Sequence, residues 1–148
     1  MSEGACRCGN VRLSAQGAPL TTMACHCTGC QRMTGGAYSL SSLYPAERFT
    51  SEGETMIGGL RSGTKHHFCP SCMSWLFAVP EGLEQFVNVR SSMFEDAAAH
   101  LPFADMWLSE ALPGSASGAP KRFETVPGEE EFGALVSEYA QWDGRVKQ

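Results

Sequence analysis

Apolar residues recur in short runs along this chain, not in long periodic stretches. Val11 and Leu13 alternate with Arg12 and Ser14, and Gly17-Ala18-Pro19 turns the chain. Leu20 to Ala24 forms a second run. Ala37 to Tyr44, rich in Tyr, Leu and Ser, forms a third, which Pro45 stops. Phe49 to Ile57 is interrupted by Gly53, and Gly58-Gly59 and Ser62-Gly63 are turn signals. His66-His67-Phe68, the apolar Trp75 to Val79 and the Phe86, Val87, Val89 group follow, with Pro80-Glu81-Gly82 between the last two. Many short strands with turn residues between them predict a mainly β, antiparallel domain.

The C-terminal third has another pattern. Phe94 to His100 is compatible with a short helix, broken by Pro102. The stretch from Pro113 to Pro120 reads as a loop by composition. Phe132, Leu135, Val136, Tyr139 and Trp142 then recur at helical spacing. Glu129, Glu130 and Glu131 favour a helix N-terminus there, and Gly144 is a stop signal. This helix is expected to pack on the sheet, in preference to pairing with a second chain.

At 148 residues the chain is expected to be one domain, 1–148, with enough length for a real core. Its net charge of −5 argues against nucleic-acid and membrane-surface binding, which favour a basic face. No apolar run approaches the ~20 residues of a membrane span. The start, Met1-Ser2-Glu3-Gly4-Ala5-Cys6, has neither a basic nor a hydrophobic leader region. A cytoplasmic location is the resulting expectation, and there clustered thiols read as metal-binding or catalytic.

All 7 cysteines fall in three clusters: Cys6-Arg7-Cys8, Cys25-His26-Cys27-Thr28-Gly29-Cys30 and Cys69-Pro70-Ser71-Cys72. Neighbouring thiols in the central run are too close in sequence to bridge one another without strain. They can bend around one ion, and Gly29 suits the turn because it accepts φ > 0. Thiolate softness points to Zn²⁺ with four tetrahedral ligands. Cys6, Cys8, Cys69 and Cys72 sum to one closed structural site. Such a site can contribute on the order of 10–16 kcal/mol. Cys25, Cys27 and Cys30 leave a corner open. A protein ligand could still close it, and His26, His66 and His67 are the nearest candidates. Arg32, Arg61 and Lys65 flank the clusters and could meet substrate carboxylates, although solvated surface charge is the plainer reading.

The residues Gly4-x-Cys6-x-Cys8-Gly9, Cys25-His26-Cys27-x-x-Cys30 followed by Thr34-Gly35, and Phe68-Cys69-x-x-Cys72 resemble the glutathione-dependent formaldehyde-activating enzymes, a family that includes centromere protein V. Trp107 and Lys121-Arg122-Phe123-Glu124 resemble its closing region. The likeness covers about residues 4–127, and a helical extension at about 128–144 lies outside it. It implies a zinc-bound β-tent fold of small antiparallel sheets. It also implies two Zn²⁺ per chain: a structural ion on Cys6, Cys8, Cys69 and Cys72, and a catalytic, more labile ion on Cys25, Cys27 and Cys30. Met73 stands where the family knuckle usually has Gly, and φ > 0 there would strain it.

The function implied is that of a carbon–sulfur lyase or synthase resembling S-hydroxymethylglutathione synthase. It would join a small thiol such as glutathione to an aldehyde such as formaldehyde, or cleave the adduct. Three thiolates make zinc a weak Lewis acid, which suits thiolate transfer better than hydrolysis. The alternative is a non-catalytic, zinc-scaffolded protein-binding module. A chromatin-binding version would want a basic tail, and this chain has none.

Overall fold

A computed structural model describes residues 1–60 and 63–147. Arg61 and Ser62, named above as a flanking charge and part of a turn signal, lie outside the described residues. In chain order the elements are β1 (Ser2–Ala5), β2 (Arg12–Ala15), β3 (Thr21–Cys25), α1 (Thr28–Thr34), β4 (Ser39–Pro45), β5 (Phe49–Glu52), β6 (Met56–Gly58), β7 (Lys65–Phe68), β8 (Trp75–Val79), β9 (Phe86–Arg90), β10 (Ala104–Met106), β11 (Lys121–Arg122) and α2 (Glu129–Gln141). The mainly β class with a C-terminal helix is as expected. No described helix is long and apolar enough to cross a membrane.

The strands form a three-stranded sheet, β1-β2-β5, and an eight-stranded sheet, β11-β10-β3-β4-β9-β8-β7-β6. Pairing is antiparallel except at one margin, where β10 runs parallel to both β3 and β11. That margin departs from the all-antiparallel expectation. The connections leading to β10 and β11 are long enough to bring the chain back in the same direction, which tight hairpins cannot do.

Alternation within the strands sorts side chains onto two cores. One face of the large sheet sends Tyr44, Val87, Val89 and Leu76 against Leu13 and Ala15 of the small sheet and Val11 just before it. Burying each large aliphatic side chain contributes about 1.5–3 kcal/mol. The opposite face carries Met23, Leu43, Ala104 and Met106, and α2 covers them with Leu135 and Tyr139. The helix therefore packs on the sheet, and Lys121 of β11 forms an ion pair with its Glu138. Glu131 accepts a hydrogen bond from the Gly128 N–H at 3.2 Å and so satisfies the helix start.

Three readings need correction. Phe94 to His100 is no α-helix; it contains only the 3₁₀ turn Ala97–Ala99, and another 3₁₀ turn, Ser91–Met93, precedes it. His100 is buried instead and draws the chain inward. Gly29 adopts no left-handed conformation, because it sits in the first turn of α1. Strands β1, β10 and β11 were not anticipated, since none shows a clear apolar alternation.

His100 is buried, with its Nδ1 2.7 Å from the Ser42 hydroxyl and its Nε2 3.3 Å from Asp96. Ser42 also meets Ser91 at 2.9 Å. This Ser–His–Asp set pins the 3₁₀ segment to β4. Burial holds His100 below the ordinary imidazole value, against the pull of Asp96. The unfolded chain therefore accepts a proton that the folded chain resists. Stability is complete above about pH 6.5 and is lost as pH falls below it. Urea melts between pH 7.5 and 5.5 are expected to show this loss, with a shallower dependence in His100→Gln. Equal slopes would remove His100 as the cause.

Candidate metal centres

The first and third cysteine clusters meet at one end of the small sheet. The sulfur-to-sulfur distance is 3.5 Å between Cys6 and Cys8, and 3.7 Å between Cys8 and Cys69. All four ligand atoms of Cys6, Cys8, Cys69 and Cys72 lie within 4.8 Å of one another. A tetrahedron with metal–sulfur bonds of ~2.3 Å has edges of ~3.8 Å, so these thiols fit a zinc-sized ion. All seven cysteines are free.

The two knuckles are built alike. Gly9 donates its N–H to the Cys6 carbonyl at 3.0 Å, and Met73 donates to the Cys69 carbonyl at 2.9 Å. Both residues are left-handed, Gly9 at φ 81° and Met73 at φ 60°. Glycine adopts that conformation freely, whereas a side chain makes it cost roughly 1–2 kcal/mol. The strain expected at Met73 is therefore present. Ser74 ties the knuckles together, since its hydroxyl accepts from the Arg7 N–H at 3.2 Å and lies 3.2 Å from the Cys72 thiol. That hydroxyl contact is the main reason the Cys72 thiol falls to about 5.

Cys25, Cys27 and Cys30 also converge within 4.8 Å. Cys25 ends β3, and Cys27 caps α1 by accepting from the Cys30 N–H at 3.3 Å. Thr34 bonds back to the Cys30 carbonyl at 2.8 Å, and Gly35 closes the helix at φ 67°. These contacts account for Thr34-Gly35 following the cluster. His26 turns away from the three sulfurs. Its Nε2 lies 2.7 Å from Asp105 of β10, and both side chains are fully buried. Glu110 accepts from the Thr28 hydroxyl at 2.9 Å and anchors the other side.

Protons are shared unequally among the central thiols. Cys30 is held down to about 6, chiefly because Cys25 donates to it, with the Arg90 charge adding to the effect. Cys25 is pushed up by that same contact and by burial. Together these thiols form a set that a divalent cation would complete.

No histidine joins this group of ligand atoms among the described residues. His66 lines the adjoining cavity without joining the cluster, and His67 stacks on Phe77 with ring centroids 4.4 Å apart. Arg32 and Lys65 do not line the cavity. The cavity measures about 180 Å³, and Cys25, Cys30, His66, Trp75, Asn88 and Arg90 are among its walls. Five buried polar atoms on those walls lack partners among the described residues: Ser39 Oγ, His66 Nδ1, Trp75 Nε1, Asn88 Oδ1 and Arg90 Nε. Trp107 also lines it, in a left-handed backbone at φ 57°. Strain of this kind concentrates at functional sites. A larger cleft of about 360 Å³, with Glu3, Arg12, Glu52 and Glu95 on its walls, holds neither thiol nor orphaned buried group.

Sequence reasoning missed this wall. Asn88 and Arg90 read as ordinary polar positions near a strand end. Strict alternation from Phe86 would have placed both on one face, opposite Val87 and Val89. Nothing in the sequence marked that face as lying beside the central cysteines.

Fold and thiol clusters define a β protein with two sites able to hold metal ions. The chain belongs to the glutathione-dependent formaldehyde-activating enzyme family, whose profile matches residues 1–110. A crystal structure of a Rhodobacter sphaeroides protein shares the fold, with a TM-score of 0.50 and 18% identity over 63% of this chain and 87% of that one. No curated protein sequence matches the chain.

Two expectations follow. Met73→Gly should raise stability by about 1 kcal/mol, the left-handed strain less the added freedom of the unfolded chain; a lower melting temperature would refute this. Cys6→Ser or Cys72→Ser should unfold or aggregate the protein, whereas Cys27→Ser should leave it folded, as read by circular dichroism melts. Equal destabilisation by all three would make the central cluster structural too.

Proposed function

We propose that the protein is a zinc-dependent carbon–sulfur lyase or synthase, acting on adducts between a small thiol such as glutathione and an aldehyde such as formaldehyde. One observation carries this reading: three thiols converge beside a cavity, and no described fourth protein ligand joins them. Cys6, Cys8, Cys69 and Cys72 would hold a structural zinc, and Cys25, Cys27 and Cys30 a second one. A zinc held by Cys25, Cys27 and Cys30 would supply the acidity that keeps an incoming thiol deprotonated and nucleophilic.

The balance of the reaction is simple. The thiol sulfur joins the carbonyl carbon, the carbon–oxygen π bond opens, and the proton lost by sulfur ends on oxygen. The reverse reaction breaks the same carbon–sulfur bond. No electrons enter or leave. The protein's part is positioning in a shielded space. Met23, Met106 and Trp107 wall the cavity with apolar surface. The unpartnered Trp75 indole N–H is a donor available to an oxygen that gains charge there. His26 and Glu110 hold the thiol loop in place from behind.

Cobalt substitution tests the open corner, because sulfur-to-cobalt charge-transfer bands respond to an added thiolate. Glutathione should change the spectrum, and Cys30→Ser should abolish the change. Glutathione plus formaldehyde should then yield S-hydroxymethylglutathione faster than in a protein-free control. A spectrum indifferent to every thiol would leave the zinc-scaffolded binding module. A spectral response without faster chemistry would reject formaldehyde as the electrophile.

A further inference from the structure

The Arg90 guanidinium is the least explained charge in the molecule. Arg90 is only 7% exposed. No carboxylate pairs with it among the described residues. Among the described residues the one hydrogen bond of its guanidinium is a long one, 3.4 Å to the Asn88 carbonyl, and its Nε has no partner. The guanidinium instead lies over the Trp75 ring, 4.0 Å from the centroid. Burial lowers it to about 10, so it remains charged at neutral pH. The central thiols offer this buried cation an opposite charge but no hydrogen bond among the described residues, and arginine's fork matches a carboxylate through two parallel hydrogen bonds.

Size narrows the ligand further. Sites for drug-sized molecules occupy about 300–1,000 Å³, and a 150 Å³ cavity holds a benzene-sized guest. At about 180 Å³, this cavity admits a small fragment and leaves the bulk of a glutathione molecule outside. Arg90 and the thiols Cys25 and Cys30 share the walls of that one small space.

We propose that Arg90 makes this cavity a carboxylate subsite, so that the reactant handled beside Cys25, Cys27 and Cys30 carries an anionic group a few bonds from its reacting atom. This inference rests on the carbon–sulfur reading and specifies its substrate class. The carboxylate belongs either to a small thiol or to a small aldehyde acid. Arg90 is then a specificity-determining residue. If the aldehyde carries it, formaldehyde, which has no such group, would be a poor substitute.

The competing role for Arg90 is to offset the negative charge of three thiolates, and ligand charge separates the two. In the cobalt-substituted protein, mercaptoacetate, 2-mercaptoethanol and cysteamine present the same thiol with an anionic, neutral or cationic end. If the carboxylate lies on the thiol, mercaptoacetate should bind at least about tenfold more tightly than 2-mercaptoethanol. Arg90→Gln should erase that preference and leave 2-mercaptoethanol unchanged, while Arg90→Lys should keep part of it. If the carboxylate lies on the aldehyde, the three thiols should bind alike. Glyoxylate should then exceed formaldehyde in kcat/KM, with the advantage lost in Arg90→Gln.

A third arm needs neither thiol nor turnover. Acetate should change the tryptophan fluorescence of the zinc protein saturably, through the Arg90–Trp75 stack, and acetamide should not. That arm stands even if no thiol perturbs the cobalt bands, so failure of the open corner is distinguishable from failure of the subsite. Loss of the acetate response, absence of charge preference in both other arms, or equal weakening of every ligand by Arg90→Gln would overturn the proposal.

Discussion

Thiols gathered this closely cannot all shed their protons unaided. Each thiolate that forms makes the next harder to form, and Cys25, which donates to Cys30, is pushed up while Cys30 is held down. A divalent cation removes the conflict, which ties metal binding to whatever brings the thiols together. For the outer cluster that is the pairing of a knuckle before β2 with a knuckle between β7 and β8. A metal held there and the fold would depend on each other. The strained Met73 backbone is tolerated because the surrounding hydrogen bonds leave the loop no other path.

The central cluster depends on a different support. Its residues are local in sequence, yet its position is set from far along the chain. β10 returns parallel to β3, which puts Asp105 against His26 and the Met106 carbonyl 2.9 Å from the His26 N–H. Glu110 then fastens Thr28. These contacts orient the loop so that two sulfurs reach the cavity and the one intervening histidine does not. A histidine held this way supports its neighbours without itself serving as a ligand.

The large sheet divides its outer face between two tasks. Where α2 covers it, the face is apolar and makes a second core. Beyond the helix the same face carries Ser41, Asn88 and Arg90 and stays open as a cavity. A site of this kind needs a rigid floor and loose polar groups, and the alternation of β4 and β9 supplies both from the same strands.

Much of this was legible in the residues themselves. Seven cysteines in groups of two, three and two announce metal sites, because reduced thiols at these spacings have few other uses. The runs ending in Ala24, Tyr44, Val79 and Val89 announced β3, β4, β8 and β9. The 3.6-residue spacing of Phe132 to Tyr139 announced α2, since its apolar stripe needs a sheet to cover. Those are local signals, and local chemistry writes them. The parallel margin, the burial of His26 and the isolation of Arg90 are not local. They arise when β10 and β9 are laid beside residues far from them in sequence, and no periodicity in either strand encodes its neighbour. An arginine at the end of a strand looks the same in sequence whether it meets water or a wall of thiols. Only the packed sheet, by removing water from one of those surroundings, decides which it is.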